Sequence, residues 1–378
     1  MTTVRLNPRL RGFVCIRCEK RYGVADFAEG CPDCLVASFP SSVVPFYEGR
    51  AEELSTPSSR FAARMPYNRW PDLGEGSTPV CTLDKLADEF GLEKLLLKCE
   101  FANPTGSHKD RMSAQFMARA VHIGARTVVA ASSGNAGASI AAYAAATRIP
   151  CVIVTTPAIS PAWHQAIKVT GARIEFVEDA LARWRYIREK VAVDSWFSAT
   201  NYLNPPVGSE PFGVEGYKAL GLEIALDERC TAVDAIFVPA ARGDLLWGIY
   251  RGYRELLDER AIAKMPALVA VEPFPRIEKV LSGADYRDHF EGRTRLSSIA
   301  GSTLTLQSVM AVRASGGTAV MTNDADVVID QKRLGQNGYY LELSAAAAFT
   351  GMRKLLDNGQ HRFRNPLLIA TSHGYKNG

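Results

Sequence analysis

A lysine in a position suited to covalent chemistry lies within Asn-Pro-Thr-Gly-Ser-His-Lys-Asp-Arg, residues 103–111. The apolar run at 95–99 before it predicts a strand, and the Ala-rich run at 112–121 after it predicts a helix. Lys109 then falls in the first turn of that helix, where the positive helix end disfavours a cation. We therefore expect a lowered pKa for Lys109, which an amine needs to form a Schiff base. The alternative is an ordinary solvated lysine.

Two further loops carry groups that bind anions. Ser-Ser-Gly-Asn at 132–135 opens a predicted helix, and its hydroxyls and amides suit a carboxylate because a helix N-terminus favours an anion. Pro-Ala-Ala-Arg-Gly-Asp at 239–244 precedes a helix predicted at 245–257, and Arg242 can offer a bidentate contact to a phosphate. The alternatives are a simple capping turn in the first loop and, in the second, an arginine that faces solvent or pairs with Asp244.

Four of the eight cysteines form two Cys-x-x-Cys pairs, Cys15 with Cys18 and Cys31 with Cys34. Two such pairs at this separation can place four thiolates around one tetrahedral zinc ion. The segment is short and polar, so metal would supply most of its stability. We predict a structural zinc site, with a redox pair or disulfides as the alternatives that an intracellular setting disfavours.

The elements that must position these residues alternate between strand-like and helix-like runs. Short apolar runs occur at 127–131, 151–155, 173–177, 235–239, 268–272 and 366–370. This alternation predicts an α/β fold, with parallel sheets covered by helices on both faces. Ligands in such folds bind at the carboxyl ends of the strands, and both anion-binding loops directly follow one of these runs.

Length and composition narrow the class of protein. A chain of 378 residues favours two or more domains, and 47% apolar with 22% charged residues is ordinary for a globular protein. The net charge of +4 without a basic cluster gives no support for a nucleic-acid or membrane partner. We find no secretory signal and no membrane-spanning run, and we expect a cytoplasmic enzyme.

Five segments together resemble fold-type II pyridoxal-phosphate enzymes, the threonine synthase and threonine dehydratase family, and come nearest to the threonine synthases. They occur in the order expected for that family. They are the lysine segment at 103–111, Leu-Gly-Glu-Gly-Ser-Thr-Pro at 73–79, Ser-Ser-Gly-Asn-Ala-Gly-Ala at 132–138, Glu-Gly-Tyr-Lys-Ala-Leu-Gly-Leu-Glu-Ile at 215–224 and Thr-Ser-His-Gly-Tyr-Lys-Asn at 371–377.

The resemblance implies a tryptophan synthase β-like architecture with the cofactor in a cleft between two α/β domains. The large domain is expected at 41–108 and 205–378, the small domain at 109–204, and a zinc-ribbon-like segment at 1–40. A homodimer is also implied.

The resemblance further assigns residues to pyridoxal phosphate. Lys109 would bind its aldehyde and later move the α-proton, Asn135 would donate to the ring hydroxyl, and Thr371 would face the ring nitrogen. The family usually holds the phosphate with a glycine-rich loop, whereas here only one glycine remains. The residues expected at the phosphate are Ala240, Ala241, Arg242, Gly243 and Asp244.

Substrate residues and function follow from the same resemblance. The expected substrate contacts are Thr105, Ser132, Ser133, Gly134, Ala136, Ser302 and Thr303. The leading function is conversion of O-phosphohomoserine to threonine and phosphate. However, the segments 204–215 and 298–307, where threonine synthases generally carry arginine for the substrate phosphate, contain none. Lys218 or loop amides could take the place of that arginine.

The alternative functions are a β-elimination or β-replacement enzyme for serine-, threonine- or diaminopropionate-like amino acids, and a catalytically inert family member. His108 is expected to pack locally.

Overall fold

The computed structural model describes residues 3–49, 51, 60–359 and 363–377, so the predicted segment limits at residues 1 and 378 lie outside the described residues. The strands are β1 (Arg5–Leu6), β2 (Leu10–Cys15), β3 (Arg21–Tyr22), β4 (Val43–Tyr47), β5 (Tyr67–Arg69), β6 (Val80–Thr82), β7 (Leu96–Lys98), β8 (Val128–Ala131), β9 (Cys151–Thr155), β10 (Arg173–Phe176), β11 (Phe197–Ser198), β12 (Ala235–Pro239), β13 (Ala267–Glu272), β14 (Thr318–Met321) and β15 (Pro366–Ile369). The helices are α1 (Pro32–Val36), α2 (Asp84–Glu89), α3 (Lys109–His122), α4 (Asn135–Thr147), α5 (Pro161–Lys168), α6 (Ala180–Asp194), α7 (Pro211–Glu215), α8 (Lys218–Ala225), α9 (Asp244–Asp258), α10 (Ile277–Leu281), α11 (Leu306–Ala314), α12 (Asp324–Gln336) and α13 (Leu343–Asp357).

The chain divides into two compact units. Unit 1 comprises Met1–Glu75 and Lys109–Ala219, and unit 2 comprises Gly76–His108 and Leu220–Asn377. Among the described helices, none is long and apolar enough to cross a membrane.

Unit 1 contains a parallel sheet with the strand order β10-β9-β8-β11. The runs predicted at 127–131, 151–155 and 173–177 form β8, β9 and β10. Every residue of β8 and β9 is buried, which explains their continuous apolar sequence. Because β8 and β9 are neighbours and parallel, the loops that follow them leave the same edge of the sheet side by side.

The N-terminal residues of unit 1 form an antiparallel sheet of order β3-β2-β4 and the pair β1-β5. Phe13 of β2 packs edge-on against Phe212 of α7 with ring centroids 4.9 Å apart, and both join a cluster that includes Ala118 of α3. Unit 1 groups 41–75 and 205–219 with 109–204, and the division into a large and a small domain at the predicted limits stays a prediction. The sequence pattern could not show that β4 pairs with β2 or that α7 packs on α3.

Unit 2 contains a sheet of order β14-β13-β12-β15-β7-β6, which is parallel except for the pairing of β6 with β7. The runs predicted at 95–99, 235–239, 268–272 and 366–370 form β7, β12, β13 and β15. The small residues Ala345–Ala348 of α13 are at most 1% exposed and belong to the core cluster that contains Phe237. Parallel strands joined through helices in both units confirm the predicted α/β class.

Candidate active site

Lys109 is the first residue of α3, as the sequence predicts, and its side chain is half-buried. Its Nζ donates a hydrogen bond to Tyr217 Oη at 3.1 Å. Tyr217 is fully buried, and its hydroxyl also lies 3.6 Å from Met112 Sδ. A Cβ at Gly216 would lie 2.0 Å from the Arg111 carbonyl oxygen, so only glycine allows the chain to bring Tyr217 this close to α3.

The residue after the lysine joins the start of α3 to α4. Asp110 is fully buried and accepts a hydrogen bond from Ser139 Oγ at 2.6 Å. The Ser139 and Ser113 hydroxyls are also 2.6 Å apart, and Ser113 Oγ donates to the Lys109 carbonyl at 3.2 Å. A buried network of this kind is rigid when its members are satisfied, so Lys109 projects from a fixed backbone.

The loop at 132–135 connects β8 with α4, which begins at Asn135. Ser132 Oγ accepts hydrogen bonds from the Gly134 amide at 3.2 Å and the Gly137 amide at 2.9 Å. Asn135 is 6% exposed. The Ser132 hydroxyl therefore braces the loop internally, while the start of α4 supplies the positive end that favours an anion.

Ser133 makes contacts beyond its own loop. Its hydroxyl lies 2.9 Å from the Thr155 hydroxyl at the end of β9. It also accepts a hydrogen bond from Arg183 Nη1 on α6 at 3.1 Å. The structure thus brings an arginine to a residue predicted to bind substrate.

The predicted phosphate loop, residues 240–244, connects β12 with α9. Gly243 has φ +101°, and a Cβ there would lie 2.0 Å from Ser308 Cβ, so this position requires glycine. The Arg242 carbonyl accepts hydrogen bonds from the Thr305 hydroxyl at 2.8 Å and the Thr305 amide at 3.3 Å. Gln307 Nε2 donates to the Asp244 carboxylate. Residues at the start of α11 therefore hold the loop in place through hydrogen bonds.

Two arginines give the phosphate loop its charge. Burial lowers the pKa of Arg242, and the nearby Asp244 only partly opposes this shift. Arg276 is fully buried and donates from Nη2 to the Ala240 carbonyl at 2.6 Å. Burial also lowers the pKa of Arg276, Glu272 opposes that shift, and the charge on Arg242 adds to it. An anion bound at this loop would relieve the repulsion between the two guanidinium groups.

Thr371 follows β15 and is 6% exposed. Its segment, 371–373, pairs with the segment 106–108 through an antiparallel bridge and backbone hydrogen bonds. The His108 amide donates to the Thr371 carbonyl at 3.0 Å, and His108 Nδ1 lies 3.2 Å from the same oxygen. His108 thus contacts the backbone of Thr371, and the residues just before Lys109 are hydrogen-bonded to the C-terminal motif.

The other predicted substrate residues differ in exposure. Thr105 is half-buried, Ser302 is exposed and Thr303 is buried. A Cβ at Gly301 would lie 3.8 Å from Arg242 Nη1, so this segment approaches the phosphate loop. Lys218 has a fully buried side chain, and its Nζ lies 2.6 Å from Glu215 Oε1, whose side chain is 2% exposed. Lys218 therefore belongs to a buried ion pair within unit 1.

The four cysteines of the two Cys-x-x-Cys pairs have their Sγ atoms within 4.8 Å of one another. Cys15 and Cys34 are 3.6 Å apart, and Cys18 and Cys31 are 3.7 Å apart. Both separations are far longer than a disulfide bond, and all four are free thiols.

Three residues at these loops were not identified from the sequence: Tyr217, Arg183 and Arg276. Tyr217 lies inside the motif at 215–224, but the motif does not indicate that its hydroxyl contacts Lys109. Arg183 lies in a helix of ordinary composition, and Arg276 lies in a proline-rich turn, so neither carries a local signal.

A family model described as pyridoxal-phosphate dependent enzyme matches residues 71–371. Curated relatives include the threonine synthase of Methanosarcina acetivorans, which is 30% identical over 95% of this chain and 90% of the relative. The threonine synthase of Methanocaldococcus jannaschii is 28% identical over 96% of this chain and 92% of the relative.

Solved structures show the same fold at low sequence identity. Maize serine racemase matches with a TM-score of 0.66 and 19% identity, over 79% of this chain and 89% of that chain. The processed form of threonine deaminase isoform 2 from Solanum lycopersicum matches with a TM-score of 0.67 and 17% identity, over 78% and 79% of the two chains.

Proposed function

Because the chain belongs to the fold-type II family of pyridoxal-phosphate dependent enzymes, we propose that it is a lyase of the threonine synthase type. It would convert O-phosphohomoserine and water to threonine and phosphate. The observation that carries this proposal is the similarity to threonine synthases over 95% of this chain. The lysine at the start of α3, with a tyrosine hydroxyl 3.1 Å from its Nζ, supports it.

The residues present fit the cofactor. Lys109 would hold its aldehyde carbon, Asn135 its ring hydroxyl and Thr371 its ring nitrogen. The phosphate loop would hold its phosphate, since Gly243 permits close backbone approach and Arg242 supplies a guanidinium group. When bound, pyridoxal phosphate withdraws electrons from the substrate and weakens the bond from Cα to its proton.

Lys109 Nζ would take the proton from the substrate Cα and return a proton at the end of the reaction. Tyr217 Oη would keep that amine in place, because it already accepts a hydrogen bond from Nζ. The network of Asp110, Ser113 and Ser139 would keep the lysine backbone still while the side chain moves. In this proposal Tyr217 is a positioning residue.

The loop at 132–136 would bind the α-carboxylate of the substrate. The hydroxyl of Ser133, the backbone of Gly134 and Ala136 and the start of α4 suit an anion, while Ser132 would act mainly by bracing the loop. Thr105, Ser302 and Thr303 remain proposed substrate contacts.

We also propose that Cys15, Cys18, Cys31 and Cys34 bind one structural zinc ion. Four thiolates at a Zn–S distance of about 2.3 Å in a tetrahedron lie about 3.8 Å apart, close to the separations of 3.6 and 3.7 Å described above. The Arg17 and Cys18 amides donate to Cys15 Sγ at 3.3 and 3.4 Å, which favours a thiolate there. Metal analysis should find about one zinc per chain, and Cys18→Ser should lose it together with stability. A metal-free native protein would contradict the proposal.

A homodimer is the last part of the proposal, and it rests on the family resemblance. Light scattering should then give about twice the chain mass of 41.2 kDa. A particle of single-chain mass would contradict it.

The experiment that tests the function combines an absorbance scan with product analysis. The purified protein should show a visible band from lysine-bound cofactor and should release phosphate and threonine from O-phosphohomoserine. A visible band with ammonia or replacement products from serine or threonine alone would favour the second candidate, the β-elimination or β-replacement enzyme. The absence of arginine in 204–215 and 298–307 is what favours that candidate. No band and no product would point to an inert family member.

A further inference from the structure

Arg183 reaches the loop that is proposed to bind the substrate. Its Nη1 donates to Ser133 Oγ at 3.1 Å, and Ser133 Oγ lies 2.9 Å from Thr155 Oγ1. The guanidinium group is half-buried, with its Nε atom shielded from solvent. One guanidinium and two hydroxyls, all within unit 1, thus meet at the ends of two neighbouring strands.

The fold explains why these three groups meet. Ser133 follows β8 and Thr155 ends β9, and the carboxyl ends of neighbouring parallel strands are where α/β folds bind ligands. Arg183 is the fourth residue of α6, where the positive helix end disfavours a cation. Asp179 caps that helix, since its carboxylate accepts hydrogen bonds from the Leu181 and Ala182 amides.

A second observation at the same loop points to a missing acceptor. Trp163 is 5% exposed, and a Cβ at Gly134 would lie 3.5 Å from its indole ring. Within the part of the chain that the structure describes, Trp163 Nε1 donates no hydrogen bond. A buried donor left without a partner costs free energy, and such groups are uncommon in folded proteins. A ligand anion would supply the acceptor.

We propose that Arg183, Ser133, Thr155 and Trp163 form the subsite for the distal phosphate of the substrate. This rests on the proposed function and supplies the cation that the segments 204–215 and 298–307 lack. A guanidinium group flanked by hydroxyls matches the geometry and charge of a phosphate. The subsite uses the Ser133 hydroxyl for the phosphate instead of the α-carboxylate. The α-carboxylate is then left to the backbone of Gly134 and Ala136 and the start of α4, so the two anionic ends of O-phosphohomoserine use different donors.

The test compares two ligands that differ in this phosphate. O-phospho-L-homoserine and L-threonine are titrated into the cofactor-loaded protein, and binding is followed by the change in cofactor absorbance. Arg183→Gln should weaken O-phosphohomoserine binding by roughly ten- to a hundredfold, as expected for loss of a charge-assisted contact. Binding of L-threonine should change by less than about threefold. Arg183→Lys should fall between wild type and Arg183→Gln.

The matched control is Arg185→Gln on the same helix. The Arg185 side chain is 64% exposed and pairs with Glu178, so its loss should leave both dissociation constants unchanged. Trp163→Phe removes the indole donor and part of the buried ring, and it should weaken binding of O-phosphohomoserine by less than Arg183→Gln does, with L-threonine binding as the measure of any loss of packing. Inorganic phosphate should compete with O-phosphohomoserine in wild type and lose that effect in Arg183→Gln.

The possible results distinguish an error in the proposed phosphate subsite from an error in the proposed function. If wild type converts O-phosphohomoserine, and Thr303→Val weakens its binding while Arg183→Gln does not, the subsite is wrong and the function stands. Equal loss of both ligands in Arg183→Gln and Arg183→Lys would mean a structural role and would overturn the subsite. If wild type does not bind O-phosphohomoserine but converts serine, the proposed function and the subsite both fail.

Discussion

The lysine site, formed by Lys109, Asp110 and Tyr217, and the phosphate loop at 240–244 are built in different ways. In the lysine site the lysine that is proposed to react and its anchoring aspartate are neighbours in sequence, and both lie at the start of one buried helix. The phosphate loop, by contrast, is held by residues that are distant in sequence: Arg276 and Thr305 donate hydrogen bonds to its backbone carbonyls. A covalent bond needs one particular atom, whereas a phosphate can be held by many sets of donors. We therefore expect substitutions to be tolerated better in the phosphate loop than in the lysine site.

Removing the lysine should have the largest effect and tests whether the lysine site is irreplaceable. Lys109→Ala should lose the visible cofactor band and lower turnover by at least about 10²- to 10⁴-fold, the range for loss of a general acid–base group. Lys168→Ala, at an exposed position on α5, is the control. Borohydride reduction followed by peptide mapping identifies the attached residue. Cofactor trapped on a different lysine in Lys109→Ala would contradict the assignment.

Removing Arg242 should have an intermediate effect and tests whether the altered phosphate loop depends on its arginine. Arg242→Ala should weaken pyridoxal phosphate binding by roughly ten- to a hundredfold, since a charge-assisted hydrogen bond is lost. Pyridoxal, which lacks the phosphate, should bind almost as in wild type. Titration of the apo protein measures both constants, and Arg254→Ala, from the exposed pair with Asp258 on α9, is the control. A change below about threefold would mean that Gly243 and the backbone amides hold the phosphate.

Removing the tyrosine hydroxyl should have a smaller effect and tests whether the lysine site needs its partner. Tyr217→Phe deletes the acceptor for Lys109 Nζ and should slow capture of pyridoxal phosphate by the apo protein by about two- to tenfold, the equivalent of one ordinary hydrogen bond. The pH dependence of capture should shift as well. Tyr67→Phe, also at a fully buried tyrosine of unit 1, is the control. Identical kinetics in the two variants would remove Tyr217 from the site.

The smallest effect on cofactor capture is expected at Glu210, which caps the helix leading to Tyr217 and whose titration is read in the stability of the fold. Its carboxyl accepts the Phe212 and Gly213 amides, yet burial raises its pKa from 4.5 to about 8. Between these values the native state keeps a proton that the unfolded state loses, so stability should fall as pH rises from about 4.5 to 8. Glu210→Gln should flatten this slope and raise the free energy of unfolding at pH 7 above that of wild type, because the amide needs no proton to be buried. Denaturant titrations at several pH values measure it, and equal slopes would show that Glu210 is ionised.

Much of the fold could be predicted because a fully buried strand appears in the sequence as a continuous run of apolar residues. The apolar runs at 151–155 and 235–239 coincide with β9 and β12 to the residue, since every position in them is buried. The start of α3 could be predicted because Pro104 and Gly106 interrupt the chain just before it. These are properties of one element at a time.

Contacts between elements could not be predicted in the same way. Tyr217 meets a lysine 108 residues away, and Arg183 meets a serine 50 residues away. A periodic pattern reports which face of an element is buried, but it does not report which side chain of another element lies opposite. The same limitation explains why the sequence pattern could not show that 41–75 and 205–219 group with 109–204 in unit 1.

The pairing of 106–108 with 371–373 also has a consequence for biosynthesis. His108 and Thr371 are 263 residues apart in the chain. A ribosome adding about 5–20 residues per second needs roughly 13 to 50 seconds to supply that partner after His108 has been made. During this interval the segment preceding Lys109 lacks the backbone hydrogen bonds that it makes with residues 371–373. Attachment of the cofactor is therefore expected to follow synthesis of the chain, and a ribosome stalled before residue 371 should carry a nascent protein that does not acquire it.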